Sequence, residues 1–122
     1  MTSPEITRAF LTLKLADLEY EVFGTLFLDT RHRVLAYEEL FRGTINGAAV
    51  YPREVVKRGL ALNASAVIFV HNHPSGVPDP STDDQRITTR LKEALALVEI
   101  QVLDHFIVGG DNAISMAERG ML

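Results

Sequence analysis

The chain has 122 residues, 47% of them apolar and 23% charged, the balance of an ordinary globular protein rather than a disordered or fibrous one. It contains no cysteine, which excludes disulfides, thiolate metal sites, iron–sulfur clusters and cysteine nucleophiles, so any metal must be held by histidine and carboxylate. A net charge of −4 speaks against a surface that grips nucleic-acid phosphates regardless of sequence, and no apolar run is long enough to span a membrane, so one cytoplasmic domain over 1–122 is expected.

The first predicted element is an N-terminal helix within residues 1–18, with Ser3 as its N-cap, Pro4 at the first helical position, and Ile6, Phe10, Leu11 and Leu13 at roughly helical spacing. From Tyr20 the pattern turns to aromatic and β-favouring residues (EVFGTLFLD). The polar stretch Asp29 to Arg33 then turns the chain into a second extended run, VLAYEELF, which predicts a hairpin. Gly43 to Gly47 break the strand pattern. Pro52 opens a second helix, PREVVKRGLALN, with Val55, Val56, Gly59, Leu60 and Leu62 on one side. AVIFVHNH is a short, nearly continuous apolar run of the kind that forms a strand buried on both faces. After the turn-rich PSGVPDP, a third helix starts at Ser81 and carries an apolar stripe of Ile87, Leu91, Ala94, Leu95 and Val98. The chain closes with a strand, IQVLDHFIVGG, and a short strand or helix at AISMAE. Strands interleaved with helices predict an α/β fold, a mixed sheet flanked by helices.

The chemistry concentrates at the end of the buried run. His71 and His73 stand at i and i+2 of an extended segment, so both imidazoles project from one face and form a two-point metal clamp. Pro74 ends the strand, and the following loop returns at a helix whose first turn holds Asp84. Two imidazole nitrogens and one carboxylate oxygen make a three-ligand set with the fourth tetrahedral position open to water, the pattern of a catalytic zinc. Iron also takes two histidines and a carboxylate, whereas an all-oxygen set would have pointed to magnesium or calcium. Ser81 and Asp84 also match the S-x-x-[DE] pattern of a helix start, where Ser81 caps and Asp84 meets the helix dipole; the capping and ligating roles of Asp84 are compatible.

Other candidates are read differently. His105, within VLDHFIV, reads as a core histidine bonded to its neighbours rather than a ligand, and His32 reads as a solvated turn residue. Four glutamates, Glu19, Glu21, Glu38 and Glu39, precede the site, and spacing alone does not choose a general base among them.

HNHPSGVPDPSTDD, with Glu21 upstream, resembles the JAMM (JAB or MPN+) metalloprotease motif, a glutamate followed by H-x-H-P and S-x-x-D. Over residues 18–110, through EVFGTLFLDTRHRVLAYEELFRGTIN, PREVVKRGLALNASAVIFVHNHPSG, RLKEAL and VLDHFIVG, the chain is similar to the RadC-type branch of that superfamily. The resemblance implies a cytidine deaminase-like (JAB/MPN) fold, but H71-N-H73 stands where deaminases have H-x-E and their zinc cysteines are absent, so deamination is not expected. It also implies zinc on His71, His73 and Asp84, with Glu21, just ahead of a glycine-containing strand, as general base. Ser81 corresponds to the motif serine that steadies the oxyanion. The activity implied is zinc-dependent peptidase or isopeptidase chemistry on a peptide or protein substrate. Two rivals are a metal-binding, non-proteolytic module in nucleic-acid transactions and a hydrolase of small amides. RadC-type proteins commonly carry a further N-terminal helical region associated with DNA binding, which this chain is expected to lack.

Overall fold

The computed structural model describes residues 4–43 and 50–122. Eight elements follow in order: α1 (Pro4–Leu15), β1 (Val22–Leu28), β2 (Val34–Arg42), α2 (Pro52–Ala61), β3 (Ala66–Asn72), α3 (Thr82–Ala96), β4 (Gln101–Gly109) and β5 (Asn112–Ser115). The strands form one sheet in the order β2-β1-β3-β4-β5. β1 runs antiparallel to β2 and β3, β4 is parallel to β3 and antiparallel to β5. This is the mixed, helix-flanked α/β sheet that the alternation of elements predicts.

Each face of the sheet carries its own core. Phe23, Phe27, Val67 and Phe69 point to one side and pack with Val55 of α2 and with Ile87, Leu91 and Leu95 of α3. Val22, Leu26, Ile68, Val70 and Phe106 point to the other, where Leu11 and Leu15 of α1 cover them. β1 and β3, between their neighbours and under both layers, are buried at every position, which is why AVIFVHN reads as an unbroken apolar run.

Expectations for all three helices are corrected in detail. The first helix is shorter than residues 1–18: it ends at Leu15, where the chain enters a turn at Ala16 and Asp17, and Ser3, expected as its cap, lies outside the described residues. Its buried stripe is Thr7, Leu11 and Leu15 at strict i, i+4 spacing, leaving Ile6 and Leu13 on the outer side with Leu13 84% exposed, while Phe10 at the flank meets the Tyr37 ring of β2 edge-on. A threonine at the head of the stripe hid it from a reading by hydrophobicity. In α2, Val55 and Gly59 face the core while Leu60 is exposed, and Val98, expected on the third helix, lies in the turn beyond it but still packs on the core. The Gly43 to Gly47 break lies, apart from Gly43, outside the described residues.

Two local irregularities set the functional end of the sheet. Between β3 and β4 the register slips by one residue, from Val67 opposite Val102 to Ile68 opposite Asp104, so Leu103 is an extra residue. Beyond the slip His105 pairs with Phe69 and therefore faces the same side as Phe69 and His71. At the far end of β4, the loop after β3 lies directly on Gly109, where an added Cβ would stand 2.6 Å from the backbone nitrogen of Pro78 and 2.9 Å from the carbonyl oxygen of Gly76. The glycine is needed for space. Gly109→Ala should therefore push the 76–78 loop off the strand and cost about 1–3 kcal/mol, as overpacking does. Urea denaturation measures this, and an unchanged midpoint would show that the loop yields freely.

Candidate metal centre

β3 delivers His71 and then, one residue past its end, His73, whose backbone nitrogen still bonds the carbonyl oxygen of Val108. Both rings turn to the α3 side of the sheet, as the i, i+2 spacing predicts. Their Nε2 atoms are 3.1 Å apart. α3 begins with a capping box: the Ser81 hydroxyl oxygen accepts from the Asp84 backbone N–H at 3.0 Å, and the Asp84 carboxylate accepts from the Ser81 backbone N–H at 2.7 Å. That reciprocal pair fixes the carboxylate over the strand end. Asp84 Oδ1 lies 2.9 Å from His71 Nε2, and Oδ2 lies 3.1 Å from His73 Nε2.

These three side chains fit a metal ion. One donor atom from each lies within 4.8 Å of the others. A tetrahedral zinc with bonds of about 2.0–2.1 Å separates its donors by about 3.3 Å, close to the spacings found here. The remaining ring nitrogens are engaged elsewhere: His73 Nδ1 lies 2.8 Å from the carbonyl oxygen of Val77, which can only accept, and His71 Nδ1 lies 2.8 Å from His105 Nε2. A proton on Nδ1 leaves the Nε2 lone pair for the metal.

The electrostatics match a site built around a fixed negative charge. Burial opposes ionisation of Asp84, but the hydrogen bonds from His71 and His73 outweigh it and hold the carboxyl well below the usual range. In turn the hydrogen bond to Asp84 raises His73, against the opposing effect of its partial burial, with smaller contributions from the Val77 carbonyl and from the charge of Glu21. His105, completely buried, is pushed well below its ordinary value by desolvation and by the neighbouring His71.

Glu21 precedes β1 by one residue. Phe23 pairs with His71 in the antiparallel β1–β3 register, and continuing that register sets Glu21 opposite His73. The segment is clamped by the residue between the two histidines. Asn72 Oδ1 accepts from the Val22 backbone N–H at 2.8 Å, and its Nδ2 donates to the Tyr20 carbonyl at 2.9 Å, gripping the backbone on either side of Glu21. The other glutamates go elsewhere. Glu38 is held by both Arg58 Nε and Nη2, at 2.7 and 2.5 Å. Glu39 sits beside Tyr37 on β2, which β1 separates from the histidine strand, and Glu19 lies in the bend before β1.

His105, Thr88, Asn72 and the Val77 carbonyl belong to the site without having been named for it by spacing. The middle position of H-x-H was a readable signal for Asn72, since the residue between two inward ligands must face the opposite layer. No comparable signal exists for His105, because its facing depends on the slip at Leu103. His105 is a core residue bonded to its neighbours, as its setting in the sequence predicts, and one of those neighbours, His71, belongs to the group that could hold a metal ion. His32 occupies the β1–β2 turn with a φ of 60°.

A family model described as the RadC-like JAB domain matches residues 1–121. Among curated relatives, UPF0758 proteins of Thioalkalivibrio sulfidiphilus and Nitrosococcus oceani are each 63% identical over 122 residues, and one of Marinobacter nauticus is 62% identical. Each comparison covers 100% of this chain and 54% of the relative, so the chain spans about half the length of the curated relatives it matches. With a family model that runs almost from end to end, and the H-x-H-P and S-x-x-D residues brought together around one point, the chain belongs to the RadC-like JAB domain family.

Proposed function

We propose that this chain is a zinc-dependent metallohydrolase domain that cleaves an amide bond, peptide or isopeptide, by attack of water. The observation that carries the reading is the convergence of His71 Nε2, His73 Nε2 and the Asp84 carboxylate, with both Nδ1 atoms turned to other partners. An ion held there would lower the pKa of a bound water to about 7 and polarise the substrate carbonyl. Glu21, set across from His73, accepts the proton of the attacking water and passes it to the leaving amine. The Ser81 oxygen receives the Asp84 N–H through a lone pair, so its own proton is free to donate to the developing oxyanion. Asn72 holds the Glu21 backbone in place, and Asp84 keeps the negative charge that the metal requires.

Purified protein should contain about one zinc per chain, and Asp84→Asn, which preserves size but removes the charge, should lose most of it. Elemental analysis after identical purification decides this, and full zinc in the variant would remove Asp84 from the ligand set. Glu21→Gln should retain the metal and lose about 10²–10⁴-fold in kcat, the usual worth of a general base. A cleavage assay on peptide and isopeptide substrates tests the activity and this role together. No cleavage of any amide by zinc-loaded wild type would reject the hydrolase reading.

The raised His73 sets a sign for pH. Its extra proton is retained above the ordinary value of 6.5 in the metal-free protein and must leave before Nε2 can ligate. Zinc affinity should therefore climb as pH rises through the region just above that value and level off beyond it. Competition titrations at several pH values measure the slope, and an affinity that falls over that range would contradict the assignment of Nε2 as the donor.

A further inference from the structure

His105 holds no place in the donor set, yet it is completely buried and touches the site at both ring nitrogens. Nε2 lies 2.8 Å from His71 Nδ1, and Nδ1 lies 2.6 Å from the Thr88 hydroxyl. Thr88 Oγ1 in turn donates to the carbonyl oxygen of Asp84 at 2.7 Å, and among the described residues the other acceptor of this kind beside it is Met116 Sδ, 3.8 Å away. Carbonyl oxygen and thioether sulfur can only accept.

A hydroxyl has a single proton. With that proton committed to an acceptor, Thr88 must receive from His105, which places a proton on His105 Nδ1 and leaves a lone pair on His105 Nε2. His71 Nδ1 must then donate, so Nε2, where Asp84 and His73 converge, is the nitrogen whose lone pair becomes available once a metal replaces the hydrogen bond to Asp84. Reasoning from the other end gives the same order: a metal on His71 Nε2 forces a proton onto Nδ1, and each bond down to the Asp84 carbonyl follows. The four groups also close a circuit, because Asp84 Oδ1 lies 2.9 Å from His71 Nε2.

We propose that Thr88 and His105 form a one-way hydrogen-bond relay that fixes the ligating tautomer of His71 and so raises the affinity of the site for zinc; the inference rests on the metal reading above. Thr88 and His105 are positioning residues, acting through His71 rather than on substrate. Their influence is therefore read in metal binding, independently of turnover.

The test is a zinc titration of the metal-free chain against a chromophoric chelator. Thr88→Val keeps shape but removes the acceptor for His105 and should weaken zinc by about 10–100-fold, the usual effect of removing a group that orients a ligand. Thr88→Ser restores the hydroxyl and should bind close to wild type. Thermal melting of the metal-free variants checks that all are folded. Nitrogen-15 imidazole spectra of the zinc-loaded wild type give a second reading that needs no variant: His105 should carry its proton on Nδ1. A Thr88→Val chain that binds zinc as tightly as wild type, equal weakening in Thr88→Val and Thr88→Ser, or a His105 protonated on Nε2 would overturn the relay. Absence of zinc uptake by the wild type would instead overturn the metal reading itself, and the first titration shows it before any variant is compared.

Discussion

A carboxylate buried to 2% exposure at the first turn of a helix is tolerable only if nearly every lone pair is used, and Asp84 meets that condition. Its oxygens take the Ser81 N–H and face both histidine rings. The rest of the site is a set of consequences. The helix cap fixes where α3 begins, the start of α3 fixes where the carboxylate points, and the end of β3 must bring two nitrogens to meet it. Removing the charge would leave two imidazoles crowded 3.1 Å apart. Keeping it makes the same crowding the natural surroundings of a divalent cation.

The sheet order explains how such distant segments reach one point. β3 is central, with β1 on one side and β4 on the other, so the histidines are flanked by the segment bearing Glu21 and by the strand bearing His105. α3 is the crossover between the parallel strands β3 and β4, and its N-terminus therefore lies at the end where β3 finishes. Phe23 stacks on His71 with an interplanar angle of 14°, and Phe69 meets His105 edge-on, so the floor of the site is aromatic and continuous with the core. The polar network rests on apolar packing.

Much of this was legible from the sequence because its strongest signals are short-range. The turn after Asn72, the i, i+2 histidines and the S-x-x-D helix start each involve a few neighbouring residues, and regular backbone geometry places them without knowledge of the whole fold. The apolar run of β3 announced a central strand for the same reason. What escaped depends on registers between distant segments. His105 faces the histidines only because Leu103 is an extra residue in β4, and Glu21, which spacing alone did not separate from Glu19 and which only the family resemblance picked out, is set opposite His73 by the alignment of β1 with β3. The covered face of α1 was legible only at Leu11, for a different reason: Thr7, a polar residue, heads the buried stripe.

The closed circuit through His71, His105, Thr88 and Asp84 also bears on time scales. The first turn of a helix is ordinarily where fraying begins, and strand ends open readily. Here the first two turns of α3, the end of β3 and the middle of β4 are laced into one loop of hydrogen bonds, which opposes their separate opening. The donors are thus ordered when the chain folds, before any cation arrives, and the entropy of gathering them is lost at that earlier stage. An ion entering there would meet a carboxylate and an imidazole already tied to three elements of the fold, rather than side chains free to swing one at a time.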